Sequence, residues 1–406
     1  MHVIFVEPAF PSNQREFVRA LHAVGASVTG IGERPGEYLP DEIKNCLVAY
    51  EQVPSVVHEP SMLEAVQRVQ KRGWVDRMET TVEAHIMPAA NVREKCQIPG
   101  TSARTAYLCR DKPTMKDVLR EAGVPCAQST SADSAAEIRD FAAKIGFPLI
   151  LKPRGGAGAS GTYKVGNDGE LEFAIRESGV ENGVSIAVEE FIEGHEGFYD
   201  TITIDGKVTH DFITHYYPGV LEAMRTRWVS PYFITTNRMD AEHYAEVKDL
   251  GQRVVDALGI TTSATHMEWF YGPKGLKFSE IGCRPPGVGG WDVYSAANDF
   301  DLYKEWAHAI VHGRVDQQPS RQYSCAMLAL RPDQDGTVAS YEGVDEVMAQ
   351  YRNEIVTSHF PPPGSPAGGV EGGYMANSWM RVRHPDYDQL RQILGDIADR
   401  IRIRAS

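Results

Sequence analysis

Residues 150–165 read ILKPRGGAGASGTYKV, an apolar strand that runs straight into a glycine loop. Gly156, Gly158 and Gly161 fit G-x-G-x-x-G, a pattern shared by dinucleotide folds, kinase-type loops and bare turns. A Walker loop needs lysine and a hydroxyl directly after its last glycine, and Tyr163 and Lys164 do not supply them. A dinucleotide fingerprint opens a helix, whereas 162–165, TYKV, reads as a second strand. The loop is therefore expected to join two strands as a hairpin. A protein-kinase loop is also a hairpin, but no H-R-D catalytic loop follows. What distinguishes the stretch is Lys152 on the strand before the loop. Its ammonium can reach phosphate oxygens while glycine amides approach them from above. Taken alone, a glycine hairpin beside a solvated lysine accounts for the same residues.

The chain around this loop has 406 residues, 42% hydrophobic and 24% charged, which provides for several cores. At roughly 150 residues per domain, two to four domains are expected. Acidic residues outnumber basic ones 55 to 41, for a formal charge of -14. That balance disfavours nucleic acid and anionic membrane as partners and leaves small molecules and Mg²⁺-bound nucleotides. No run of about 18 apolar residues occurs. The opening MHVIFVEPAFPSNQ lacks a basic n-region and a cleavage site and reads as a first strand. Six cysteines, at 46, 96, 109, 126, 283 and 325, form no C-x-x-C pair, as expected for reduced thiols in a cytoplasmic protein.

The first 98 residues alternate strand and helix like an open parallel sheet. HVIFVEP (2–8) is a buried strand, and the helix after it places Phe17, Ala20, Leu21 and Val24 on one face. The first strand–helix turn lacks a glycine fingerprint, so no dinucleotide site is expected there. Residues 99–185 read as a small α+β lobe carrying the glycine loop. Its first helix has Asp111 as N-cap, a stripe of Met115, Val118, Leu119 and Ala122, and Gly123 as its stop. Its second opens with a capping box, Ser134 and Glu137. Residues 186–315 form a larger lobe of strands closed by a helix, and 316–406 a C-terminal α+β region.

Three further stretches supply polar groups for a nucleotide. Lys112 precedes the first small-lobe helix and offers a second cation. In VEEFIEGHE (188–196) a strand ends in acids and apolar residues. Glu189, Glu190, Phe191 and Ile192 can form the edge for an adenine, and Glu196 the acceptor for a ribose. In THMEWFYGPKGLKFSEIGCRPPGVGG (265–290), Glu268 and Glu280 lie at corresponding ends of two strands joined by a turn. Facing carboxylates repel unless a cation lies between them, and hard oxygen ligands suit Mg²⁺, with Mn²⁺ as the alternative. Arg284 can present a fork to a carboxylate, beside the amides around Gly287.

Together these residues resemble the ATP-grasp superfamily over roughly residues 1–315. The HMEWF…SEIGCRPPG form looks most like the carboxylate–amine ligases, including dipeptide (L-amino-acid) ligases and carnosine-synthase-like enzymes. The resemblance implies a Rossmann-like N-terminal domain, a small lid lobe, a larger grasp lobe and a C-terminal region. It implies ATP and Mg²⁺, two small-molecule substrates joined through an acyl phosphate, and a homodimer as a common assembly. Lys112 and Lys152 would hold phosphates with Gly156, Gly158, Ser160 and Gly161, and Glu268 and Glu280 the metal. Lys152 and Arg284 would act at the reacting groups, with Arg284 and Gly287 against the substrate. Gly282 departs from the pattern, since many relatives carry Asn there as a further metal ligand. A carboxylase-like or purine-pathway enzyme, or a silent nucleotide-binding protein, are the alternatives. His308 and His312 are expected to be exposed helix histidines, and Tyr216, Tyr217, Arg225, Arg227 and Trp291 are unassigned candidates for a substrate pocket.

Overall fold

The structure is a computed structural model that describes residues 1–154, 161–227, 229–367, 374 and 376–406. The expected N-terminal alternation is present. Strands β1 (His2–Val6), β2 (Ser27–Gly32), β3 (Leu47–Gln52) and β4 (Arg77–Glu79) form a parallel sheet in the order β3-β2-β1-β4. The helix Gln14–Ala23 buries Phe17, Ala20 and Leu21. Phe17 packs against Trp291, Tyr303 and Trp306, with ring centroids 4.9–5.1 Å apart for Tyr303 and Trp306. These aromatics come from the helices Gly290–Asn298 and Leu302–His312, so one apolar cluster joins the N-terminal domain to the large lobe. Trp291 is thus a core residue.

The small lobe is a second sheet, in the order β5-β8-β6-β7, of β5 (Ser129–Ala132), β6 (Leu149–Pro153), β7 (Tyr163–Val165) and β8 (Ile186–Glu190). β6 and β7 pair antiparallel, Leu149 with Val165 and Leu151 with Tyr163, so the glycine stretch does join a hairpin. Leu149, Leu151 and Val188 face the helices Ala135–Ile145 and Asp168–Ser178. By strand alternation Ile150, Lys152 and Glu189 face the opposite way. The helix Lys112–Glu121 is capped by the Asp111 carboxylate, which accepts from Thr114 N at 3.3 Å. It is rotated from the expected stripe: Lys112, Met115, Lys116 and Leu119 are buried and Ala122 is exposed. The buried face carries two lysines because it borders a polar cleft. The Ser134 cap forms as expected, but Glu137 reaches Asp133 N, one residue earlier than a regular capping box.

The large sheet has eight strands in the order β13-β12-β9-β10-β11-β14-β18-β16. They are β9 (His195–Ile204), β10 (Lys207–Tyr217), β11 (Tyr232–Thr235), β12 (Ser263–Gly272), β13 (Gly275–Gly282), β14 (Ser324–Leu330), β16 (Ile355–His359) and β18 (Ser378–His384). β8 belongs to the small-lobe sheet, and β14, β16 and β18 extend the large one. The boundaries expected after 185 and 315 therefore each run through a sheet. β15 (Gly336–Glu342), β17 (Pro366–Ala367) and β19 (Arg402–Ala405) form a small sheet of their own. The expectation for His308 fails, because its helix packs near the N-terminal domain and buries both ring nitrogens; His312 is exposed, with Nε2 3.0 Å from Val24 O. No helix among the described residues is long and apolar enough to cross a membrane.

The helix Ala245–Leu258 lies over β9 through Gly251. A Cβ added there would sit 2.2 Å from Cε1 of Tyr199, a ring that is 2% exposed and cannot swing away. Gly251→Ala should therefore cost about 1–3 kcal/mol by overpacking. Urea unfolding of the variant beside the parent measures the loss.

Candidate functional site

Between the small lobe and the large sheet lies a cleft of about 600 Å³, within the ordinary range for small-molecule sites. Its lining includes Lys112, Lys152, Glu189, Glu190, Phe191, Ile192, Glu196, Glu268 and Glu280. Residues spread over 169 positions of sequence thus share one cavity. Tyr216, Tyr217 and Arg225 also line it, whereas Arg227 pairs with Asp335 at 2.6 Å. Gly156, Gly158 and Ser160 lie outside the described residues. Gly161, at the far end of the loop, is exposed with φ +67°. Next to it, Arg225 donates to Thr162 O at 3.1 Å.

Glu268 and Glu280 are direct partners across the β12–β13 ladder, and the register shifts immediately after Glu268. Such a bulge re-aims side chains next to a site. Glu196 sits diagonally from Glu268 on β9, since Glu268 pairs with Phe198 and Phe270 with Glu196. Among the described residues, no group of three or more His, Cys, Asp or Glu side chains has the geometry of a metal cage. Two carboxylates completed by water and phosphate oxygens are a normal arrangement for Mg²⁺.

Cations face these acids. Lys112 Nζ is 3.1 Å from Glu280 Oε2, and Lys152 Nζ is 2.9 Å from Glu189 Oε2. Burial raises the Glu280 carboxyl, but Lys112 and Lys152 outweigh it and keep it below its ordinary range. Burial likewise opposes the charge on Lys152, and Glu189, Glu280 and Glu268 together overcome it. His266 lies on β12 opposite Asp200, with Nδ1 2.7 Å from Asp200 Oδ1 and Nε2 3.7 Å from Glu268. Burial works against its charge, yet Asp200 and Glu268 raise it to about 9.

Lys116 was not anticipated. It lies one turn beyond Lys112, is 1% exposed, and pairs with Glu189 Oε2 at 2.6 Å. Burial brings it down to about 8 despite Glu189. A lysine inside the apolar stripe of KPTMKDVL was the available signal. Glu189 accepts both lysines on Oε2, while its Oε1 is buried with no partner among the described residues. That oxygen is an acceptor at the edge of the cleft. Glu190 is turned to a structural task, accepting from Gln128 N and from Lys274. Asp111 holds Arg154 through two 2.9 Å bonds, tying the end of β6 to the lysine helix.

Arg284 and Gly287 lie outside the cleft lining. Arg284 Nε donates to Glu83 Oε2 and its Nη1 to Pro285 O at 2.8 Å. Glu83, from the N-terminal domain, also takes Arg110 Nη1 at 2.7 Å. A Cβ at Gly282 would lie 3.3 Å from Glu83 Oε2, so the side chain missing there leaves room for this carboxylate. Gly287 is exposed in the turn before the helix Gly290–Asn298, where Gly290 N donates to its carbonyl at 3.0 Å. Sequence spacing could not have found Glu83, which is 201 residues from Arg284.

Glu196 accepts from Val220 N at 2.7 Å, yet burial and the neighbouring Glu268 push it up to about 8. A carboxyl raised from 4.5 holds extra protons in the folded state. Its contribution is complete below 4.5 and is lost as pH rises towards 8. Glu196→Gln keeps the acceptor for Val220 without the charge. Without nucleotide or divalent ions, the variant should therefore melt higher than the parent at pH 8, by a few degrees. The gap should shrink towards pH 5, as thermal unfolding across that range would show.

A family model described as the ATP-grasp domain matches residues 117–299. An L-arginine-specific L-amino acid ligase of Bacillus subtilis is 28% identical over 234 residues, 56% of each chain. An alanine–anticapsin ligase of Bacillus subtilis is 25% identical over 52% of this chain and 48% of its own. The chain spans about half the length of the curated relatives it matches. In structure, an L-amino acid ligase from Bacillus licheniformis superposes with a TM-score of 0.78 at 18% identity, covering 100% of this chain and 98% of its own. N5-carboxyaminoimidazole ribonucleotide synthetase from Thermotoga maritima gives 0.70 at 16% identity, covering 100% and 99%. Residues 117–299 match the ATP-grasp domain, and the chain as a whole has the ATP-grasp fold.

Proposed function

We propose that this chain is an ATP-dependent carboxylate–amine ligase. It would activate an amino acid or other small carboxylic acid as an acyl phosphate and join it to an amine, releasing ADP and phosphate. The observation that carries the reading is the convergence of Glu268 and Glu280 with Lys112, Lys116 and Lys152 in one cleft. The acids suit a divalent ion and the lysines suit phosphate oxygens. The unpartnered Glu189 Oε1 suits the exocyclic amine of adenine, beside the 189–192 backbone and apolar walls. Kinship to named amino acid ligases supports the reaction class.

In this reading Lys112 and Lys152 bind the α and β phosphates and Glu196 a ribose hydroxyl. Glu268 and Glu280 hold Mg²⁺, or Mn²⁺, which when bound neutralises charge on the transferring phosphoryl group. Arg284 faces the carboxylate substrate and later the tetrahedral oxyanion, with amides near Gly287. Its Nη2 makes no hydrogen bond among the described residues, so a donor remains while Glu83 holds Nε. The carboxylate would then bind at the seam with the N-terminal domain. Positioning and electrostatics supply most of the rate, as in other phosphoryl transfers.

ADP release measured against pairs of amino acids and small acids tests the reading. Amine-dependent release is expected, and turnover that needs bicarbonate alone, or ATP binding without turnover in any pool, would overturn it. Glu280→Gln keeps size and removes a charged ligand, so a correctly folded variant should lose activity by orders of magnitude, the metal's charge stabilisation being worth several kcal/mol. Lys152→Ala should weaken ATP binding by roughly tenfold to a hundredfold, from about 1.5–3 kcal/mol for a charged hydrogen bond. Calorimetric titration reads that change.

A further inference from the structure

Two of the six cysteines meet in the interior. Cys109, after the helix Ala103–Leu108, and Cys283, after β13, are 174 residues apart in sequence, and their Sγ atoms are 3.1 Å apart. That is about 1 Å beyond the roughly 2.05 Å of a disulfide bond. Each is about 5% exposed. Each is followed by an arginine, Arg110 and Arg284, and both arginines hold Glu83. The pair therefore lies at the root of the contact between the N-terminal domain and the strand that carries Glu280. Cys283 also borders a cavity of about 10 Å³ lined by Arg284, Glu79 and Arg93. A space of that size takes a molecule near the size of water and excludes a peptide thiol or disulfide.

We propose that Cys109 and Cys283 are an oxidisable dithiol that a hydroperoxide converts to an intramolecular disulfide. The Cys283 sulfur attacks one peroxide oxygen: an S–O bond forms, the O–O bond breaks, and water leaves with the thiol proton. The Cys109 sulfur then attacks the Cys283 sulfenic acid; the S–S bond forms, the S–O bond breaks, and a second water carries off the remaining proton. The two sulfurs lose two electrons and the peroxide gains them. The side-chain hydrogen bond that the Cys109 thiol shares with Cys283, together with burial, raises that thiol well above its ordinary value, so the pair reacts slowly at neutral pH. The product ties the segment entering the lysine helix to the end of β13, at the base of the Arg110–Glu83–Arg284 contact. This site stands independently of the ligase reading.

The test uses the intact folded chain. The protein is treated with excess hydrogen peroxide, and remaining thiols are blocked with N-ethylmaleimide in denaturant before digestion and mass spectrometry. The expected result is a linked peptide joining Cys109 to Cys283, a fall in free thiols from six to four, and recovery of both with dithiothreitol. Cys283→Ser, treated identically, should leave Cys109 unlinked. The proposal is overturned if the linked peptide is absent while the more exposed Cys46, Cys96 or Cys126 are oxidised. It is equally overturned if the link forms only in protein unfolded before the peroxide is added.

Discussion

The organisation of this molecule turns on two carboxylates held face to face. Glu268 and Glu280 share one rung of the β12–β13 ladder, where like charges directly opposite destabilise a sheet. The surroundings offset that repulsion from several directions: Lys112 contacts Glu280, Lys152 lies within the field of both acids, and His266 approaches Glu268 from the neighbouring position. The cations are themselves anchored, Lys152 and Lys116 on Glu189 and His266 on Asp200. Opposite charges thus alternate along the cleft, and removing one partner leaves the others with the cost of an unpaired, largely buried charge.

Such a network needs rigid supports on both sides. The small-lobe sheet divides its two faces, with Leu149, Leu151 and Val188 in its own core and Lys152 and Glu189 towards the cleft. Its entry segment is pinned to the large sheet where Phe278 N donates to Pro125 O at 2.8 Å. The large sheet continues into β14, β18 and β16, so the C-terminal strands widen the platform on which β9, β12 and β13 rest. The N-terminal domain docks through Phe17 against Trp291, Tyr303 and Trp306, which brings Glu83 within reach of Arg284. An arginine supplied by one domain is thereby oriented by a carboxylate from another, at the margin of the cleft.

Local pattern determined a good deal. Alternation identified the parallel N-terminal sheet and the β6–β7 hairpin, because a period of two along a strand is visible without any partner. Asp111, Ser134 and the glycines after helices marked boundaries, since capping is a short-range interaction. Glu268 and Glu280 could be placed opposite each other because one tight turn joins their strands. What the tertiary structure alone decided were contacts between distant segments. Lys116 stands inside an apolar stripe in the sequence, but its partner Glu189, 73 residues later, is brought to it only by folding. The Glu83–Arg284 contact, the Cys109–Cys283 approach and the inward turn of His308 depend on how domains dock. The edges of the sheets follow the same rule: β8 and β14 have strand character in the sequence, but which sheet each joins is set by long-range pairing, and no local propensity encodes that choice.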